Sequence, residues 1–239
     1  QPIGNLQRAL SLGMELVEHP SAEQYVAGCA AARLDNGFVP QGGASAEAEI
    51  GVAELAEQLA NWAQAHPALS GEADLVIPAG TGTTALFLAR HLPPWLRVHA
   101  VPCVGDAAYL HSQMVSLDIA SGAVGRLPNI LSPLASCSGP FGQPSEALLA
   151  IWREAAAHGV LLDLLYGAVA WSAMSSTFFT SRSHGGHCSL LLYLNCGGHE
   201  GLQSQLARYA RQGLLQGEPI DGVLAAVEET AKLAVPKYS

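Results

Sequence analysis

The stretch "ADLVIPAGTGTTALFLARHL", residues 73–92, joins an apolar run to a helical segment through a turn of small residues. The turn contributes two glycines and three hydroxyl groups, from Gly80, Gly82, Thr81, Thr83 and Thr84. A helix N-terminus binds phosphate through its free N–H groups and the positive end of its dipole, without a basic side chain. The pattern therefore predicts a phosphate site, and the alternative is a tight strand-to-helix connection with a threonine N-cap.

A phosphate site built from backbone suits a chain whose only lysines are Lys232 and Lys237. The net charge of −9, with no cluster of basic residues, argues against a nucleic-acid partner. With 49% hydrophobic and 13% charged residues the chain can bury a core. No apolar run reaches the roughly 20 residues of a spanning helix, so no membrane span is expected.

Cysteine usage indicates a reducing compartment. The five cysteines are odd in number, lie far apart and form no CxxC pair. We therefore expect an intracellular protein of the cytoplasm or an organelle matrix. The start at Gln1 rather than Met indicates a processed or truncated product.

Two other phosphate-binding motifs can be compared with this turn. A Walker A loop is excluded because no lysine follows the glycines. The turn matches GxGxxA, with Ala85 in the third place, and so leaves a dinucleotide site open. That site needs an acidic residue about 20 positions on, at the end of the next strand. Asp106 lies past the tip of that strand, so this interpretation ranks second.

The elements around the turn alternate between helical periodicity and short apolar runs. Helices are predicted at 5–13, 21–34, 45–65, 84–91, 106–121, 145–158, 199–213 and 219–233. Strands are predicted at 14–18, 37–40, 74–79, 97–103, 128–133, 160–166 and 189–195. Fully apolar strands between helices indicate an α/β fold with an open, mostly parallel sheet covered on both faces.

Several segments together resemble one family. The segments "GFVPQGGASAEAEIGVAELAEQL" (37–59) and "LVIPAGTGTTALFLARHL" (75–92) resemble aminocyclopropane-carboxylate deaminase and D-cysteine desulfhydrase, which are fold type II (tryptophan-synthase-β-like) pyridoxal-phosphate enzymes. "GVLLDLLYGAVAWSAM" (159–174) is similar to the family's "LDPVYTGK" region, and "LLLYLNCGGHEGLQSQLARY" (190–209) to its "HTGG" ending. "GPFGQP" (139–144) resembles the family's "GYG.P" loop.

The resemblance implies a set of roles for individual residues. The turn from Gly80 to Thr84 would hold the phosphate of pyridoxal phosphate. Tyr166 aligns with the family's active-site tyrosine, which acts as an acid, base or nucleophile near a small amino-acid substrate. The alternative is that Tyr166 only ends a buried strand. Cys196 stands where the family has threonine or serine close to the pyridine nitrogen, although a structural thiol fits equally. Phe141 stands in the substrate pocket in place of a tyrosine.

The resemblance begins partway into the family's chain. Residues 1–40 would be a remnant of the small domain, and residues 41–239 the large pyridoxal-phosphate-binding domain. The N-terminal third of the family's chain, with its Schiff-base lysine, has no counterpart here, and Lys232 and Lys237 are expected at solvated ends. Two functions follow: a lyase or deaminase that eliminates ammonia or sulfide with a lysine from outside this chain, or an inactive homologue. A homo-oligomer or a subunit of a larger assembly is expected in either case.

The histidines suggest a metal site only superficially. His184, His187 and Cys188 lie within "SHGGHC", and His199 follows Cys196. Zinc needs three or four such groups converging, with supporting hydrogen bonds. A polar, glycine-rich surface loop explains the segment better, so no metal is expected.

Overall fold

A computed structural model describes residues 3–35, 37–66, 72–122, 124–179 and 190–234. Its helices are α1 (Gly4–Ser11), α2 (Ala22–Ala32), α3 (Ala48–Gln64), α4 (Thr83–His91), α5 (Ala107–Ala120), α6 (Glu146–Ala157), α7 (Gly167–Met174), α8 (Leu202–Arg211) and α9 (Ile220–Ala234). Its strands are β1 (Ala73–Ala79), β2 (Leu96–Pro102), β3 (Asn129–Ile130) and β4 (Leu190–Tyr193). Short 3-10 turns cover Gln41–Gly43, Ala135–Cys137 and His199–Gly201, and a π turn, Ser175–Phe179, extends α7.

The described strands form one parallel sheet in the order β3-β2-β1-β4. β1 and β2 pair along their whole length, from Ala73 opposite Leu96 to Ala79 opposite Pro102. Because every pair is parallel, the carboxyl ends of the strands meet at one edge, where open α/β sheets bind ligands.

Both faces of this sheet are buried, each in its own core. Leu75 and Ile77 of β1 point into a core shared with α3, α4 and α5. Val76, between them, points into the core shared with α6, α7, α8 and α9. The alternation of side chains along a strand explains the split, since neighbours face opposite sides. The predicted α/β class, with a parallel sheet between helical layers, is confirmed.

Capping residues fix where two of the helices begin. The Asp106 side chain accepts a hydrogen bond from the backbone N–H of Tyr109 at 2.7 Å and starts α5. The Ser21 hydroxyl accepts one from the Gln24 N–H at 3.2 Å and starts α2. Each satisfies an N–H group that the helix leaves unpaired.

Three predicted strands are wrong. Residues 14–18 and 37–40 pair with no strand and have irregular backbone. Residues 160–166 form a turn rather than a strand, because their N–H groups find side-chain acceptors: Leu164 donates to the Gln205 amide oxygen at 2.7 Å and Leu165 to Asp163 at 2.8 Å.

Helix α7 was not predicted at all. Each of its eight residues is buried. A helix that is apolar on every side shows no amphipathic stripe, so the periodicity by which the other helices were found is absent.

The described residues before position 41 lie on the outside of these layers. Helices α1 and α2 contain no buried residue. Helix α1 packs near α8, and Arg8 forms an exposed ion pair with Glu200 at 3.1 Å. The division of the chain at residue 40 stays a prediction.

Two remaining expectations concern the histidine-rich segment and a membrane span. The histidine-rich segment cannot be compared with the structure, because His184, His187 and Cys188 lie outside the described residues. Within the described ranges, every helix is too short or too polar to pass through a lipid bilayer.

Candidate functional site

The turn between β1 and α4 brings the N-terminus of a helix to the carboxyl edge of the sheet. β1 ends at Ala79, α4 begins at Thr83, and Gly82 is the N-cap, with a left-handed backbone at φ 79°. In the described part of the chain, no side chain caps this helix end. Its N–H groups are therefore open to an acceptor from outside the helix, and its dipole favours a negative charge there.

Close packing accounts for the glycines of the turn. A Cβ atom at Gly82 would lie 2.9 Å from Met114 Sδ and 3.0 Å from Leu110 Cδ1, and both of these side chains are fully buried. A Cβ atom at Gly80 would lie 3.5 Å from the Tyr166 ring. Gly82 thus meets both a backbone and a packing requirement, and Gly80 keeps the turn open beneath an aromatic ring.

The threonine hydroxyls lie at the start of the helix as expected. Thr81 Oγ1 and Thr83 Oγ1 are 2.9 Å apart and hydrogen-bonded, and Thr83 is buried. A Cβ atom at Gly42 would come within 2.7 Å of Thr81 Oγ1. The 3-10 turn that contains Gly42 therefore lies directly against the β1–α4 turn and forms a second wall beside it.

Tyr166 is positioned by the start of α7, of which it is the N-cap residue. It is half-buried, and its hydroxyl oxygen lies 3.6 Å from where a Cβ of Gly80 would be. The Cys103 thiol donates to the Tyr166 carbonyl oxygen at 3.6 Å, and the Phe141 ring lies 5.3 Å from the tyrosine ring, centroid to centroid. The tyrosine hydroxyl therefore lies next to Gly80, in the β1–α4 turn.

Cys196 follows β4 in the turn "NCGGH". It is exposed, and its thiol donates to the Leu194 carbonyl oxygen at 3.7 Å. Gly197 and Gly198 adopt left-handed backbone, with φ of 83° and 93°. A Cβ atom at Gly198 would lie 3.2 Å from Cβ of Asp163, so this turn packs against the segment that carries Tyr166.

The surroundings keep both candidate proton donors protonated. Burial raises the pKa of Tyr166 above its ordinary value near 10, and Cys103 and Asp163 raise it further. Although Cys196 as a whole is exposed, partial desolvation of its thiol, followed by the charge of Asp163, raises the pKa of that thiol. At neutral pH both groups therefore offer a hydrogen rather than a negative charge.

A single cavity of about 820 Å³ collects these groups, and we call it the main cavity. Seven of the eight predicted site residues line it: Gly80, Thr81, Gly82, Thr83, Thr84, Tyr166 and Cys196. Phe141 does not; it lines a neighbouring cavity of about 280 Å³ and reaches the main cavity only through its contact with Tyr166. The structure thus brings together residues from three distant parts of the sequence, without testing what they bind.

Two charged lining residues were not among the predicted site residues, Arg33 and Asp163. Arg33 follows α2 and is the one positively charged side chain among the described residues around the main cavity. It was missed because residues 1–40 were assigned to a remnant of another domain. Asp163 was hidden in an apolar run interpreted as a strand, although a lone aspartate between leucines was a signal that it needed hydrogen-bond donors.

The acidic residue considered for a dinucleotide site and the described lysine both lie outside the main cavity. Asp106, the acid needed for a dinucleotide, caps α5 and does not line the main cavity. Lys232 lies exposed on α9, which packs on α6 and α8, so it too is absent from the described lining. Lys237 lies outside the described residues.

Comparison with solved structures identifies the fold. The chain matches the crystal structure of an ACC deaminase homologue with a TM-score of 0.64 and 18% sequence identity, over 90% of this chain and 66% of that one. No family model matches the chain, and no curated protein does. At this identity the likeness shows a shared fold and nothing about activity, and the chain spans less than two thirds of the other chain's length. The fold that the resemblance implied is therefore confirmed: this chain has the fold of an ACC deaminase homologue.

Proposed function

We propose that the main cavity binds pyridoxal 5'-phosphate, with its phosphate at the turn from Gly80 to Thr84. The observation that carries this proposal is the N-terminus of α4, which no described side chain caps and which opens into a cavity of about 820 Å³. Backbone N–H groups and a helix dipole bind a phosphate dianion without lysine or arginine. The likeness of fold to an ACC deaminase homologue supports the choice of this phosphate ester over others.

Two helices, α4 and α7, begin at the main cavity, and they differ in how well their N-termini can bind an anion. Helix α7 also begins there, but the Asp163 carboxylate already accepts from the N–H groups of Tyr166 and Gly167, at 2.8 Å each. An anion is repelled from that end and attracted to the start of α4, and Arg33 contributes a positive charge to the lining of the cavity. The cavity is therefore polarised, and the pyridine ring would extend from the turn toward Tyr166 and Cys196.

When bound, pyridoxal phosphate supplies an electron sink that stabilises negative charge on an attached amino acid. The contribution of this chain is to hold and to donate protons. Tyr166 stays protonated because its pKa is raised, so its hydroxyl is a proton donor over the turn. Cys196 offers a neutral thiol, a weak hydrogen-bond donor, to the far end of the ring.

The proposed reaction is elimination of ammonia or sulfide from a small amino acid. It requires an amine to hold the cofactor covalently; Lys232 does not line the main cavity, and Lys237 lies outside the described residues. We propose that this amine belongs to polypeptide outside this chain. The span of only 66% of the ACC deaminase homologue leaves room for such a segment.

A catalytically inactive homologue is the second candidate, and two side chains favour it. Phe141, beside Tyr166, has no hydroxyl with which to transfer a proton. Cys196 gives the ring nitrogen a poorer hydrogen bond than a threonine or serine hydroxyl. Such a protein would keep the fold, and could keep the phosphate site, as a homo-oligomer or a subunit of a larger assembly.

The experiment is a titration of the purified chain with pyridoxal phosphate, followed by absorbance, then borohydride reduction and intact-mass measurement. We expect saturable binding that inorganic phosphate competes away, and no reduced adduct at Lys232, which does not line the cavity. Absence of saturable binding would reject the proposal. The enzyme and the inactive homologue are distinguished by adding the polypeptide that supplies the amine. Release of ammonia or sulfide, together with a lysine–cofactor adduct after borohydride reduction, would identify the enzyme.

A further inference from the structure

Asp163 lies buried at the start of α7, in the lining of the main cavity. It is only 4% exposed. Its Oδ1 accepts from the N–H groups of Leu165 and Tyr166, and its Oδ2 from that of Gly167, each at 2.8 Å. A buried carboxylate is stable only when donors surround it, and here all three come from successive residues around Tyr166.

The same side chain also joins two turns that line the main cavity. Cβ of Asp163 lies against Gly198, where a Cβ atom would be 3.2 Å away. Gly198 adopts φ 93°, a backbone conformation that glycine tolerates and other residues avoid. Asp163 therefore links the turn that carries Cys196 to the turn that carries Tyr166.

We propose that Asp163 is a positioning residue, whose carboxylate fixes the backbone of Tyr166 and so aims the tyrosine hydroxyl across Gly80 into the main cavity. Its own oxygens are committed to N–H donors, so it orients the proton donor rather than transferring the proton. Its negative charge has a second effect, because it opposes the formation of a tyrosinate beside it. The relevance to a reaction depends on the proposed function, whereas the control of Tyr166 does not.

The test measures ionisation of Tyr166 in the protein without cofactor. Absorbance of tyrosinate is followed against pH, and Tyr166 is assigned as the difference between each protein and the same protein carrying Tyr166→Phe. We expect Asp163→Asn to move the Tyr166 ionisation to lower pH, since the opposing charge is lost. Should Asp163→Asn fail to fold, Asp163→Ser is used, because a serine hydroxyl still accepts hydrogen bonds from backbone N–H groups and carries no charge.

Gln205→Met is the matched structural control. The Gln205 amide oxygen accepts from the Leu164 N–H at 2.7 Å, so this variant removes a neutral hydrogen bond from the same turn. We expect it to lower stability and to leave the Tyr166 ionisation unchanged. Equal Tyr166 ionisation in the wild type and the Asp163 variants, or an equal shift in Gln205→Met, would overturn the inference.

A parallel binding measurement keeps this inference separate from the proposed function. If the wild type does not bind pyridoxal phosphate, the proposed function fails while the titration of Tyr166 still decides the role of Asp163.

Discussion

Replacing Gly82 with alanine tests whether the shape of the β1–α4 turn is set by its contact with α5. The new methyl group would approach Met114 Cγ and Sδ and lie 3.0 Å from Leu110 Cδ1, and neither side chain has any exposed surface. Left-handed backbone costs a non-glycine residue roughly 1–2 kcal/mol. Overpacking a filled core costs about 1–3 kcal/mol more. We therefore expect Gly82→Ala to lower the free energy of unfolding by about 2–5 kcal/mol.

Gly122→Ala provides the control for this prediction. Gly122 follows α5 with a similar φ of 75°, and no atom of the described residues lies within 4 Å of where its Cβ atom would be. Urea unfolding followed by circular dichroism should show a loss of only about 1–2 kcal/mol, the backbone cost alone. Gly82→Ala should also bind pyridoxal phosphate more weakly, whereas Gly122→Ala should not. Equal loss of stability in the two variants would refute the role of the Met114 contact.

Three further predictions concern separate features. Thr83→Val removes a hydroxyl from the phosphate turn and should weaken pyridoxal phosphate binding about 10- to 100-fold, the usual value of a hydrogen bond to a charged group; unchanged affinity in a fluorescence titration would contradict it. Arg90→Met removes the ion-pair partner of the buried Asp118 and should lower the free energy of unfolding by about 3–5 kcal/mol. Arg153→Met, at an exposed ion pair, should lower it by less than about 1 kcal/mol. Similar urea midpoints for the two variants would contradict this prediction. Burial raises the pKa of Cys103 to about 12, so the folded state favours the neutral thiol. The free energy of unfolding should therefore be independent of pH below the ordinary thiol pKa and should fall as the pH rises above it. Urea unfolding at a series of neutral to alkaline pH values should show a smaller fall in Cys103→Ala.

The strands that could be predicted were those whose apolar runs are paired in the sheet. β1 and β2 were recognised because both of their faces are buried, and the glycines after β1 marked where the chain must turn. The run at 160–166 is equally apolar, yet it forms a turn because one aspartate within it captures three backbone N–H groups. Apolar composition reports burial, and the destination of the backbone hydrogen bonds decides the element.

The lining of the main cavity could be predicted from the sequence where it depends on the shape of the backbone. Gly82 could be placed from sequence because left-handed backbone and close packing leave few alternatives to glycine. Arg33 and Asp163 could not, because their part in the cavity depends on how distant segments fold together. Phe141 was assigned to the substrate pocket by resemblance, and the structure seats it one cavity away, in contact with Tyr166.

The measurement that tests the central claim most directly compares pyridoxal 5'-phosphate with pyridoxal, which lacks the phosphate, by calorimetric titration of the purified chain. If the start of α4 binds the phosphate, pyridoxal phosphate should bind with a defined stoichiometry, inorganic phosphate should displace it, and pyridoxal should bind far more weakly. Equal affinity for the two compounds, or binding that phosphate leaves unaffected, would contradict the account.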